Sequence, residues 1–400
     1  MVSPRFISLL LCLALGSLAP AQDGDARGLT GALRGERAGT GRAWQTRLVQ
    51  PAKGVGGESR ESATRHRADL ADAARQAARS PKEATQADLD ALIARSKEGR
   101  SLFYAAPELH DALSAIAAEG DPALRQAAEE AAAAIELDAH MVDLRRAAFA
   151  ARAEGKRGVE IWTEVTRRSV EFWKDQTCLS DAQKYDEVVA DVAAVFNGPS
   201  AIGHLRTYQR TFGRLPRSDA NVPHMIEVLG RRSKNLGWVG GGIDPTQSED
   251  FRPAFNDGSN NQVYHTNFFV LLGHAAGQND PKIVNLVNLK HETLDGRRRN
   301  GGRSIADWTA SEAGSEIGRT IRLLRDNGHG RKGLMALPAI IGGAFSNQPG
   351  EYARPYGPEG PDYTSLTQTL DESMANFEQA PRGAVWSRIQ RGMVRMAGGN

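Results

Sequence analysis

The sequence predicts an all-α protein, a soluble multi-helix chain behind a disordered leader. Three observations point there. Apolar residues recur at three- and four-residue spacings over long stretches, as in Ala123–Ala153. No apolar/polar alternation runs long enough to read as a strand. The composition is rich in Ala, Gly and Arg and only 6% aromatic, which suits helices better than sheets.

Taken in order, the chain opens with a short basic start, Met1–Arg5, and an apolar run, Phe6–Leu15. The small residues Ala19-Pro20-Ala21 close the segment. This is the layout of a cleavable secretory signal, residues 1–21, so the mature chain is expected to be secreted or periplasmic after cleavage near Ala21. The apolar run is about half of the roughly 20 residues that span a bilayer. The later apolar stretches Val263–Gly277 and Gly333–Phe345 are short and carry His265, His274 and Pro338, so no transmembrane span is expected. Residues 22–62 hold many Gly, Arg, Ala and Thr and few large apolar side chains. Such a segment buries too little surface to offset chain entropy and reads as the disordered leader.

Residues 63–215 form the expected N-terminal helical region. Helical pieces are predicted from Ala63 to about Lys97, with a break at Ser80-Pro81 and Thr85 capping Gln86–Lys97. Pro107–Ala118, Ala123–Ala153, Val159–Trp173 and a helix capped by Ser180 and running to Phe196 follow. Val222–Gly242 is ambiguous because of its glycine run. A boundary is placed near Leu215–Asn221, and residues 216–345 form the C-terminal helical unit. Helices are expected over the apolar segment Gln262–Gly277, from Pro281 to about Asp295, and from Ser304 to Arg325. Residues 346–400 read as a Pro/Gly-rich tail with a short amphipathic stretch, Leu366–Phe377.

Fifty basic residues against 48 acidic ones leave no global basic field, so nucleic acid is not an expected partner. After signal cleavage only Cys178 remains, so no internal disulfide can form and packing must supply stability.

Two stripes of small residues stand out. Gly273 and Gly277 are four apart, and Ala306, Ala310, Gly314 and Gly318 follow at the same spacing. Each set shares one helix face. A glycine inside a helix costs about 1 kcal/mol relative to alanine, so the stripes predict close backbone approach between packed helices.

The sharpest chemical string is His291-Glu292-Thr293-Leu294-Asp295. On a helix His291 and Asp295 lie one turn apart and could ligate a divalent metal, with Glu292 as general base. His265, Asp307, Glu312 or His329 could add a third ligand. His265, beside Phe268 and Phe269, reads either as a second catalytic group or as a core-edge histidine bonded to backbone. His274 lies nine residues further on and so on the opposite helix face. Ser304 and Asp307 read as a capping box and hence as structural polar residues. Arg297, Arg298, Arg299 and Arg303 read as a solvated basic loop.

The order Asn261-Gln262-x-x-His265, His291-Glu292-x-x-Asp295, Ser304-x-x-Asp307, then Gly314 and Gly318 resembles a pattern in uncharacterised exported bacterial proteins and lipoproteins. There a lysine usually stands where this chain has His291. The resemblance covers about residues 257–318 and implies a compact helical unit in which His265, Glu292 and Asp307 meet. It implies no known activity. The expectation is therefore an exported binding or structural protein with a protein or cell-envelope partner. A metal-dependent hydrolase built on residues 291–295 is the alternative. A peptidoglycan-cleaving enzyme with Glu292 as general acid is the second.

Overall fold

A computed structural model describes residues 60–96, 105–198, 200–212, 221–236, 250–256, 262–276, 288 and 305–348. Among them the chain is all-α, with no strand. The helices are α1 (Arg60–Arg79), α2 (Gln86–Ser96), α3 (Ala106–Glu119), α4 (Arg125–Ala153), α5 (Gly158–Trp173) and α6 (Asp181–Asn197). They continue with α7 (Ser200–Phe212), α8 (Asn221–Leu236), α9 (Gln262–Ala276), α10 (Ile305–Asp326) and α11 (Gly330–Phe345). The signal peptide and nearly all of the leader and tail lie outside the described residues, as do Gly277, Ser304 and the 291–295 string. No single described helix is long and apolar enough to cross a membrane.

The chain divides into two compact units inside α4, the first reaching Asp143 and the second beginning at Leu144. A boundary near residue 215 is therefore not where the packing divides. Helices over 158–212 share their core with those over 221–345, because apolar faces from both stretches bury against each other.

In the first unit α1 packs on α3 through small side chains. Ala73, Ala74, Ala77, Leu89, Leu92, Leu109, Leu113 and Ile116 are its buried centre. Thr85 starts α2 as its sequence implies. The Asp88 amide donates to Thr85 Oγ1 at 3.3 Å, and the Thr85 amide donates to Asp88 Oδ2 at 2.8 Å.

In the second unit α6 is central. Ser180 and Gln183 cap it reciprocally: the Gln183 amide donates to Ser180 Oγ at 3.3 Å and the Ser180 amide to Gln183 Oε1 at 2.9 Å. Gly198, at φ 57°, stops it in a conformation that side chains disfavour. From Lys184 to Asn197 every residue is buried. Helices α5, α8, α9 and α11 pack around it. Buried aromatic rings tie α5 to α11, with Trp162 stacked on Phe345 at 5.1 Å between centroids. The Trp162 indole N–H donates to Asn267 Oδ1 at 3.0 Å, and Asn267 Nδ2 donates to Asn197 Oδ1 at 2.8 Å, so the polar groups of this core form one satisfied chain.

Helices α9 and α10 run parallel at very short range. A Cβ on Gly273 would fall 2.2 Å from Ser315 O, one on Gly314 2.6 Å from Thr266 O, and one on Gly318 2.1 Å from Val270 O. Only glycine permits these backbones to approach so closely.

Candidate functional site: two buried polar clusters

The first cluster surrounds α6. Asp186, Glu187 and Asp191 are buried carboxylates on a helix with no free apolar face, so each needs a cationic or hydrogen-bonding partner. Asp186 Oδ1 accepts from His274 Nε2 of α9 at 2.7 Å and lies 3.1 Å from Arg325 Nε of α10. Its Oδ2 lies 3.1 Å from His224 Nε2 of α8. One carboxylate thus ties three helices to α6. Burial alone would push Asp186 up, but the hydrogen bonds from His224 and His274 and the Arg325 charge outweigh it. They hold Asp186 well below the usual carboxylate range.

Glu187 takes Arg231 and Arg232, and Asp191 takes Arg232 Nε at 2.5 Å, Ser169 Oγ at 2.7 Å and Trp173 Nε1 at 2.7 Å. Arg232 is fully buried, and its Nη1 also donates to Val228 O. The charges of this cluster neutralise one another in place. Its members hold helices together.

The second cluster lies along α9, α10 and Asn288. Gln262 Nε2 donates to Asp307 Oδ1 at 2.8 Å, so Asp307 links α10 to α9; the cap assigned to it with Ser304 falls outside the described residues. Asn288 Nδ2 donates to Trp308 O at 3.2 Å and to Glu312 Oε1 at 3.0 Å. Burial, reinforced by the negative charge of Glu316 and only partly offset by the Asn288 bond, pushes Glu312 up to about 7. Among the described residues, Thr266 Oγ1, Asn288 Oδ1, Trp308 Nε1 and Ser311 Oγ are buried with no hydrogen-bond partner. Nothing matches this chain among family models, curated proteins or solved structures.

His265 sits in the first turns of α9, buried, with its ring edge-on to Tyr264 at 5.7 Å. His274, two and a half turns on, faces Asp186 instead, so the two histidines serve different surroundings. Among the described residues no group of three or more His, Cys, Asp and Glu side chains gathers as a metal site. Residues His291, Glu292 and Asp295 lie outside them. Sequence reasoning missed Asp186, Glu187, Asp191, His224 and Arg232. The available signal was Asp186, Glu187 and Asp191 interleaved with the apolar run over residues 185–196, which implies partners brought from elsewhere.

Proposed function

We propose that this is an exported helical binding protein whose ligand meets the polar seam formed by α9, α10 and Asn288. One observation carries the reading. Thr266 Oγ1 on α9, Asn288 Oδ1, and Trp308 Nε1 and Ser311 Oγ on α10 are buried and have no hydrogen-bond partner among the described residues, and native interiors rarely leave such groups unmatched. They mix donors and acceptors, so they suit a small polar ligand able to do both. The α6 cluster has its charges matched internally, although His274 Nδ1 and Arg325 Nε make no hydrogen bond there among the described residues. Export follows from the N-terminal segment alone.

Native mass spectrometry of the full chain, expressed with its own N-terminus, tests this. Expected are a mature chain beginning at Gln22 and a retained small-molecule mass that Asn288→Ala diminishes. An uncleaved chain, or one that carries no mass and binds nothing from a panel of sugars, amino acids and short peptides, overturns it.

A second reading, a hydrolase, is favoured by Glu312. A buried carboxyl titrating near 7 is poised to give and take a proton. His291 follows Asn288 by three positions in the chain. Hydrolysis of ester, peptide or glycan substrates that falls at least 100-fold in Glu312→Gln supports this reading. Metal that co-purifies with the chain and is lost in His291→Ala assigns the 291–295 string to it.

A further inference from the structure

We propose that Asp186 is the hub of a pH-dependent latch, which holds the first turn of α8 against α6 more tightly in acid than in base. The geometry is a cluster of groups on one carboxylate. His224, in that first turn, lies 3.1 Å from Asp186 Oδ2, while His274 and Arg325 occupy Oδ1. Asp186 is fully buried and His224 is 39% exposed, so the latch has an anchored half and a half that solvent protons reach.

The charged and titratable groups around it come from every neighbouring element. Helix α6 supplies Asp186, Glu187 and Asp191; α8 supplies Glu227, Arg231 and Arg232. Helix α9 brings His274, and α10 brings Arg322, Arg325 and Asp326. Helix α7, which also packs on α8, carries His204, Arg206 and Arg210. Of these, Asp186 acts on His224 most strongly: its hydrogen bond and charge favour the imidazolium. Burial, Arg325 and Arg231 oppose it, and the net effect is upward from 6.5. A histidine raised in the folded state contributes its full hold below its unfolded value and loses it as pH rises through the folded one.

Deprotonation weakens the latch without opening it completely. A neutral His224 still donates from Nε2, and Val222 and Met225 beside it stay buried. Arg231 and Arg232 keep the following turns on Glu187 and Asp191. The response is thus confined to the start of α8, which suits a protein exported to surroundings of variable pH.

Hydrogen exchange of the full chain at pH 6 and pH 8, corrected for intrinsic rates, tests the latch. Protection of the amides of Met225 to Val228, the first in α8 with intrahelical acceptors, should fall several-fold between the two, and His224→Gln, which keeps a neutral donor, should abolish that difference. A second measurement needs no variant: the His224 ring, followed by NMR, should titrate above 6.5. Equal slopes in the two proteins, flat protection in the wild type, or a ring titrating at or below 6.5 overturns the proposal.

Discussion

His274 Nε2 stands 2.7 Å from Asp186 Oδ1, with the two side chains 0% and 1% exposed, so a buried hydrogen bond to a carboxylate fastens α9 to α6. Removing one partner of a buried charge pair strands the other. Asp186→Ala is therefore expected to cost about 3–5 kcal/mol, because His224 and His274 lose their acceptor and Arg325 loses its counter-charge. Guanidinium unfolding measures this. A loss under about 1 kcal/mol, the range of an exposed pair, contradicts the assigned role.

The α9/α10 crossing makes a sharper contrast between glycines. A methyl group on Gly318 would stand 2.1 Å from Val270 O, whereas one on Gly203 in α7 would meet nothing within 4 Å. Gly318→Ala should destabilise by about 1–3 kcal/mol through forced backbone shifts. Gly203→Ala should stabilise by about 0.5–1 kcal/mol by lowering unfolded-state entropy. Thermal unfolding of the two variants should shift in opposite directions.

Glu312 makes stability depend on pH with a definite sign. Its carboxyl titrates near 4.5 when unfolded and at about 7 when folded, so the native state holds the proton more tightly. Its contribution is fully present below about 4.5 and is lost as pH rises through 7. Glu312→Gln should remove that slope and stabilise the protein at pH 8 by about 1–3 kcal/mol. Unfolding midpoints at pH 5 and pH 8 read this directly. An unchanged slope in the variant would show that Glu312 is not the buried acid.

Asp250 caps α5 from 91 residues further along the chain: the Val159 amide donates to its Oδ2 at 2.6 Å. Asp250→Ala should cost about 0.5–2 kcal/mol, the usual worth of a helix N-cap, and exchange at the start of α5 should accelerate. Burial raises this carboxyl to about 6, against backbone bonds from Val159 and Glu160 that lower it. Asp250→Asn should accordingly lose less at pH 7 than Asp250→Ala.

The helices whose ends carry capping chemistry were the legible part of the fold. Thr85 with Asp88, Ser180 with Gln183, and Asn197-Gly198 mark termini through bonds made within three or four residues. Helix α8 was not legible, because the glycines after it obscure where it stops. Pro338 and the glycines of Gly330–Phe345 likewise hid α11, in which that proline is accommodated. The unit boundary escaped because the composition near residue 215 says nothing about which apolar faces meet. In the second cluster, local spacing brought Gln262, His265, Asp307 and Glu312 into view but could not say that Gln262 bonds Asp307 or that Asn288 bonds Glu312. The α6 cluster depends on partners such as His224, His274 and Arg325, the nearest 38 residues away from Asp186, and no local pattern encodes them.

The central claim, a ligand seated at the seam of α9, α10 and Asn288, is tested most directly by a high-resolution crystal structure of the mature chain purified without stripping. The account predicts continuous density larger than water beside Glu312, in hydrogen-bond contact with Asn288 Oδ1 and Ser311 Oγ. Isolated waters alone at those atoms, in a chain that also retains no small molecule in solution, would contradict it.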